Sequence, residues 1–403
     1  MRLNDEERAM LSGREGPAAQ KAMEIVTALG EIYQAEDLIP VVSAQVAGVS
    51  YGNLGEAGLE FLRAWADEGA RVVVPTTLNP AGMDLQAWRE LGIPQEYARR
   101  QLEVVEVYRA MGITISCSCT PYLAGNVPRL GQHIAWSESS AVSYANSVLG
   151  ARTNREGGPS ALAAAITGRT ARYGLHLDHN RQGHLVVEVG CALHSTTDFS
   201  ALGYMVGRMA TDRVPYFRLT SGPEPGLDEL KALGAAMAAS GAVALYHVEG
   251  LTPEARSHNM LASGATVINI DSLDEGYQAL DGASQDIDLV WIGCPHASLA
   301  EIEHTADLLD GTLIEAELWV TTAREVLETA RARGLTGRIE ACGGRVVADA
   351  CLIGAPLGEM GFMNIATNSS KGAFYLRDHS HLQVRFGSLA QCFEAAIRGR
   401  WPG

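Results

Sequence analysis

Three cysteines stand where an apolar run breaks into a turn. Cys294 closes the run Leu289-Val290-Trp291-Ile292-Gly293 and is followed by Pro295 and His296. Cys119 ends Ile113-Thr114-Ile115-Ser116-Cys117-Ser118 and precedes Thr120 and Pro121, and Cys351 follows Val346-Val347-Ala348-Asp349-Ala350. In open α/β folds ligands bind outside the carboxyl ends of the strands, so thiols placed there face a shared crevice. Three of them converging would offer a soft thiolate set to a metal. Each taken alone also suits the plain role of a small buried hydrophobe. No C-x-x-C pair is present, which argues against a zinc ribbon or a thioredoxin-like motif.

Further candidates surround these thiols in the sequence. The stretch from Trp136 to Gly158 is dense in hydrogen-bonding side chains, among them Glu138, Asn146, Thr153 and Asn154. Arg152 and Arg155 within it can hold a carboxylate or phosphate by charge-assisted bonds, or can serve as loop arginines that bind carbonyls. Thr367-Asn368-Ser369-Ser370-Lys371-Gly372 is a polar loop around one of only three lysines, able to grip an anion or move a proton, or simply to make a solvated turn. His296 suits a metal ligand, an acid or a satisfied imidazole. His176, Asp178 and His179 suggest a zinc site or a structural hydrogen-bond network. No G-x-x-x-x-G-K-[ST] loop appears and no G-x-G-x-x-G follows a strand, so nucleotide binding has no support.

These residues need a scaffold, and the chain supplies one. Its 403 residues, 47% hydrophobic and 19% charged, suffice for two or three cored domains. A net charge of -16 argues against nucleic acid, which requires a basic face. No apolar run approaches a membrane span, the N-terminus lacks a signal peptide's apolar stretch, and seven cysteines in such a chain read as reduced or metal-bound, so a cytoplasmic setting is expected.

Helical and extended patterns alternate. Helices are expected over Leu54–Ala70, Pro94–Met111, Leu227–Ser240, Pro253–Ser263, Ser298–Leu309, Ala323–Arg333 and Leu389–Arg398. Strands are expected over Arg71–Pro75, Ile113–Cys119, Val243–Val248, Thr266–Ile270 and Arg338–Cys342. Such alternation implies parallel βαβ units, hence an α/β protein. The turn-rich stretches near Gly150 and Thr220 are seam candidates, and three α/β domains are expected over 1–150, 151–275 and 276–403.

Several stretches together resemble one family: Cys119-Thr120-Pro121-Tyr122, Ala135-Trp136-Ser137-Glu138-Ser139, Asn146 through Gly157 with its Ala-Arg-Thr-Asn-Arg-Glu-Gly core, Gly293-Cys294-Pro295-His296, and Thr367 through Gly372. The chain resembles the large subunit of the aconitase X family over nearly its whole length. That resemblance implies an aconitase-like fold, with three-layer α/β/α domains and largely parallel sheets around a central cleft. It implies an iron–sulfur cluster, 4Fe–4S or 2Fe–2S, held by Cys119, Cys294 and Cys351, although Cys351 follows Ala-Asp-Ala where Asp-Thr-Cys is expected. Lys371, Ser370 and His296 become candidate catalytic groups, and Asn146, Arg152, Thr153, Asn154, Arg155 and Glu138 candidate substrate contacts.

The resemblance further implies a dehydratase, in which iron takes a departing hydroxyl while a base removes a proton from carbon. A swivelling domain is expected to be missing from this chain and supplied by a small partner subunit, which closes the site and contributes the base. Two substrates compete, cis-3-hydroxy-L-proline and phosphomevalonate. The preference for Arg over Lys fits a GC-rich bacterium better than a hyperthermophile and so favours hydroxyproline. Two readings from other classes stand beside these: a zinc hydrolase using Cys294, His296, His176 and His179, and a scaffold subunit that needs no thiols.

Overall fold

The molecule, a computed structural model describing residues 1–380 and 382–402 except the side chains of 378–380, is built on three parallel sheets. In the first unit Ala44–Val46 lies between Thr76–Leu78 and Ala135–Trp136, all parallel. Helices Pro17–Ile32, Tyr51–Asp67, Gln95–Ala110 and Gly158–Thr167 close its core around Met23, Leu59, Trp65, Tyr108 and Leu162. Pro17 opens its helix with φ preset, and Ala18, Ala22, Met23 and Val26 bury one stripe of it. Ser160 through Thr167 are buried all round, as a sequence of Ala-Leu-Ala-Ala-Ala-Ile requires, and the helix stops at Gly168 in the left-handed region. Residues Arg169–Ala171 then pair antiparallel with Leu38–Pro40. The seam expected at residue 150 therefore falls inside the first unit: residues 158–171 pack into its core and pair with its chain.

The second unit orders its strands His247–Val248, Pro215–Leu219, Gly183–Val189, Leu261–Ile270, again all parallel. Leu185, Val187 and Val189 alternate inward against helices Thr196–Ala210 and Leu227–Gly241. Those helices approach closely at Gly207, where a Cβ would meet Ser240 Oγ at 2.1 Å. They also pack onward against Ser139–Ser147 and Ser370–Ser380, so this helical layer is the junction with the rest of the molecule.

The third unit is a five-stranded parallel sheet with Leu289–Ala297 at its centre, flanked by Glu317–Thr322 and Arg345–Ala348 on one side and Asn364–Thr367 and Gln383–Phe386 on the other. Both faces are covered: Leu299–Leu309, Arg324–Ala332, Leu335–Ala341 and Leu389–Arg398 on one, Ser370–Ser380 on the other. That double cover explains why its central strand opens on the continuous apolar run Leu289-Val290-Trp291-Ile292.

Several expected elements differ. Residues 113–119 make one parallel bridge, Thr114 to Thr77, and then turn, with Cys117 at φ 39°. The strand expected at Arg71–Pro75 forms one step later, Thr76–Leu78, and only His247–Val248 of the run from Val243 is extended. Arg338–Cys342 belongs to the helix Leu335–Ala341, which buries Leu335 and Ile339 one turn apart, and the strand follows at Arg345–Ala348. Pro253–Ser257 is a shorter helix than expected, whereas Gln95–Ala110, Leu227–Gly241, Leu299–Leu309 and Leu389–Arg398 lie where periodicity puts them. Among the described residues no helix is long and apolar enough to cross a membrane.

Candidate metal centre and active site

A cavity of about 260 Å³ opens between the first and third units, and Cys119, Cys294, Cys351, Glu138, Arg155 and Lys371 all line it. Each thiol arrives by a distinct backbone device. Gly293 adopts φ 93°, and a Cβ there would meet the Thr321 carbonyl oxygen at 2.2 Å, so glycine alone permits the bend that turns Cys294 out of its strand. The Thr321 hydroxyl donates to the Gly293 carbonyl at 2.7 Å and pins that bend. Cys351 follows Asp349 at φ 63°; its N–H donates to Ala81 of the first unit at 2.8 Å, and Ala81 N–H donates to the Asp349 carbonyl at 2.8 Å. The Asp349 carboxylate is held by Arg324, which also binds Asp84 Oδ1 at 2.6 Å. Cys119 Sγ accepts the backbone N–H of His296 at 3.1 Å.

Burial opposes ionisation of all three thiols. It pushes Cys294 up to about 12 and raises Cys119 and Cys351, while the Lys371 ammonium pulls each back toward the thiolate. The His296 N–H, bonded to Cys119 Sγ, favours that thiolate, and the nearby donors of Ser369 at Cys294 and of Ile353 and Gly354 at Cys351 act in the same direction. Three thiols from three segments, buried in one cavity beside a lysine ammonium, are a donor set that a multiply charged metal group would complete. Among the described residues no three His, Cys, Asp or Glu side chains gather tightly enough to hold a single ion. Cysteine thiolates are the ligands of iron–sulfur groups, and the chemistry of this donor set fits one.

Glu138 and Lys371 form a buried ion pair beside the thiols. Burial alone would raise the Glu138 carboxyl, but the Lys371 charge, with hydrogen bonds from Asn79 Nδ2 at 2.7 Å and from Ser140, holds it down at about 2. Burial likewise works against the Lys371 ammonium, and Glu138 outweighs it and raises the amine. The Ser140 hydroxyl takes Lys371 Nζ at 3.0 Å. Gln45, fully buried in Ala44–Val46, accepts Glu138 N–H at 2.9 Å and donates to Asn79 Oδ1 at 3.2 Å, so a central strand of the first sheet sets this pair in place. Both groups keep their charges throughout the neutral range.

The expected substrate contacts divide. Arg155 is exposed at the cavity and its guanidinium has no partner among the described residues. Asn146, Arg152, Thr153 and Asn154 do not line the cavity and are held by partners elsewhere. Arg152 pairs with Asp178 and with the His176 carbonyl; Asn146 binds Thr153, Ala244 and Arg181; Asn154 binds Tyr173 and Leu175. The Thr153 hydroxyl is spent on Trp136 N–H and the Asn154 carbonyl. For the two arginines the reason is directional: bridges of Arg152 to His133 and of Arg155 to Trp136 make the segment run extended beside the first sheet, and residues three apart on it face opposite ways.

Ser370 is buried with its hydroxyl unpartnered and lies outside the cavity lining, its N–H bound to Ser200 Oγ at 2.8 Å. His296 is 1% exposed with both ring nitrogens hydrogen-bonded, so it is neither a free base nor a free ligand. His176 pairs with His133 at 2.9 Å and lies outside this cavity, and His179 is exposed on a separate turn, so the residues of the zinc hydrolase reading do not come together. Ser50, Asn53, Asn79, Ser137, Ser139 and Tyr375 also line the cavity without having been expected there. Their signal in the sequence is slight: polar residues just past short strands or at helix starts, as in Leu78-Asn79-Pro80 and Ser50-Tyr51-Gly52-Asn53.

Comparison with known families decides the identity. Models of the aconitase X first, second and third domains match residues 1–179, 183–276 and 287–398. The chain belongs to the aconitase X family. It is 46% identical over 99% of its length to the whole of a phosphomevalonate dehydratase large subunit from Methanocaldococcus jannaschii. It is 51% identical to the corresponding Methanothermobacter thermautotrophicus protein, covering 93% of each chain. A cis-3-hydroxy-L-proline dehydratase from Pseudomonas aeruginosa is 38% identical over all of this chain, which spans 71% of that longer protein. The crystal structure of Thermococcus kodakaraensis aconitase X in its holo-form superposes with a TM-score of 0.92 at 47% identity, covering 98% of this chain and 100% of that one. The α/β architecture with mostly parallel sheets is thus the family's, and this aconitase X chain is an enzyme of the hydro-lyase class.

Proposed function

We propose that the chain is the large subunit of an iron–sulfur-dependent dehydratase acting on phosphomevalonate. The convergence of Cys119, Cys294 and Cys351 on one cavity beside the Lys371–Glu138 pair carries this reading. These three thiols would hold the cluster, which when bound supplies a Lewis acid that assists loss of a hydroxyl group. Arg155 offers an unspent guanidinium to a carboxylate or phosphate. Lys371, fully engaged by Glu138 and Ser140, contributes a fixed positive charge rather than a moving proton, so a substrate's anionic group and the thiolates share its field. Glu138, ionised down to about 2 and hydrogen-bonded on both oxygens, is likewise a poor proton acceptor. The base is then best sought outside this chain, on the small partner that the relatives' large-subunit names imply.

The arginine preference of the composition points to hydroxyproline. The relatives support phosphomevalonate instead: the phosphomevalonate dehydratases are 46% and 51% identical and nearly the same length, whereas the hydroxyproline enzyme is 38% identical and longer. Iron and acid-labile sulfide, measured on anaerobically purified chain beside its Cys294→Ala variant, test the cluster. Both present in the parent and lost from the variant is the expected result, and zinc alone in the parent overturns it. Turnover with the small partner, phosphomevalonate against cis-3-hydroxy-L-proline, tests the substrate: activity confined to hydroxyproline would reverse that assignment.

A further inference from the structure

We infer that His296 is the strut that ties the three cysteine segments to one another, a positioning residue rather than an acid, a base or a metal ligand. The inference rests on the proposed reading only in taking the three thiols to act as a set. Its geometry stands on its own. His296 lies two residues past Cys294, on the same bend. Its ring Nε2 is 2.9 Å from the Ala350 carbonyl, one residue before Cys351. A carbonyl only accepts, so Nε2 carries the proton. Its Nδ1 is 3.1 Å from Ser118 Oγ, one residue before Cys119, and in the neutral ring this nitrogen accepts from the hydroxyl. Ser118 Oγ has one proton, so donating it to Nδ1 makes the Thr120 hydroxyl, 3.0 Å away, the donor in their mutual contact, and Ser118 Oγ also accepts Thr120 N–H at 3.1 Å.

The backbone of the same residue completes the set of ties. His296 N–H donates to Cys119 Sγ at 3.1 Å, and the His296 carbonyl accepts Lys231 Nζ at 3.3 Å. Lys231 is itself buried and anchored by Asp228 at 2.9 Å and by Glu301. One imidazole thus touches the neighbour of each of the other two thiols while its own strand carries the third. With both nitrogens committed and the ring closed off from solvent, no lone pair remains for a metal and no proton for a substrate. A residue that sets the mutual placement of metal-binding side chains in this way matters because donors loosened by fractions of an ångström bind more weakly.

Imidazole has two partial isosteres that separate the two ties. Asn places its amide where Nδ1 lies and keeps the Ser118 contact, whereas Gln reaches the Nε2 position and keeps the Ala350 contact. The test is the rate at which each cysteine of the full chain, made metal-free with a chelator under anaerobic conditions, reacts with iodoacetamide, read by peptide mass spectrometry. His296→Asn should speed Cys351 and spare Cys119; His296→Gln should speed Cys119 and spare Cys351; His296→Ala should speed both. The expected change is about tenfold, the local opening that follows loss of roughly one hydrogen bond. Cys342 and Cys392, buried in the far helical layer of the third unit, should keep their rates. An equal rise at those two cysteines, a reversed Asn and Gln pattern, or unchanged Cys119 and Cys351 in His296→Ala would each overturn the strut. Because the readout uses metal-free protein, a failure to find iron and sulfide in the parent chain would sink the cluster and leave this result to stand or fall separately.

Discussion

Arg155 and Lys371 are both cations at the thiol cavity, and their surroundings assign them opposite work. Arg155 has an unspent guanidinium at the cavity mouth, so Arg155→Ala should leave the melting temperature and metal content unchanged. Its KM should rise by about 10- to 100-fold, the range for one charge-assisted contact, in steady-state kinetics with the small partner present. Lys371 is already committed to Glu138. Lys371→Met strands a buried carboxylate and should cost about 3–5 kcal/mol in a denaturant titration, while adding Glu138→Gln should recover much of that loss. If the double variant is no more stable than the single one, the pair is not coupled as its geometry implies. Neither distinction is legible along the chain. Arg152 and Arg155 read as equals in Arg-Thr-Asn-Arg, and only the extended backbone beside the first sheet turns one to the cavity and the other to Asp178.

At the scale of elements, long periodic helices and the continuous apolar strand before Cys294 are readable because each buries a stripe or both faces over many residues. The short pieces are not: Ile113 to Cys119 has strand-like composition, yet one bridge to Thr77 suffices before it must turn to bring Cys119 to the cavity. One junction between elements should report on acidity. His176 sits in a short turn against His133, near Arg152, Arg181 and Asp178; burial first, then His133 and the arginines, lower it to about 3, and burial lowers His133 as well. Both folded values lie below the unfolded one, so the unfolded chain binds more protons, and stability present above roughly pH 6.5 is lost as pH falls toward 3. Urea unfolding should show about 2 kcal/mol less stability at pH 5 than at pH 7.5, with His176→Gln flattening the difference. An equal slope in that variant would assign the acid sensitivity elsewhere.

Across the whole molecule, the units are joined by buried polar ties as well as apolar packing. Arg181, fully buried between the first and second units, grips both Glu254 oxygens at 2.8 Å and the carbonyls of Asn146, Ala151 and Leu175. Arg181→Met leaves Glu254 and three carbonyls without this partner and should lower stability by about 3–5 kcal/mol, measurable by calorimetry or denaturant. The proposed need for a partner belongs to this scale too. The isolated chain should turn over phosphomevalonate far more slowly than the chain with the small subunit added, and comparable rates would place the base here after all.

By itself the sequence determined the α/β class and the family and singled out the three thiols that the structure brings to one cavity, because apolar periodicity and compact motifs are local and survive without tertiary context. Tertiary structure alone decided which polar residues face the cavity and which hold the frame. Asn146, Asn154 and His296 carry the same hydrogen-bonding groups whether free or spent, and what distinguishes them is the partner that folding brings from 7 to 178 residues away.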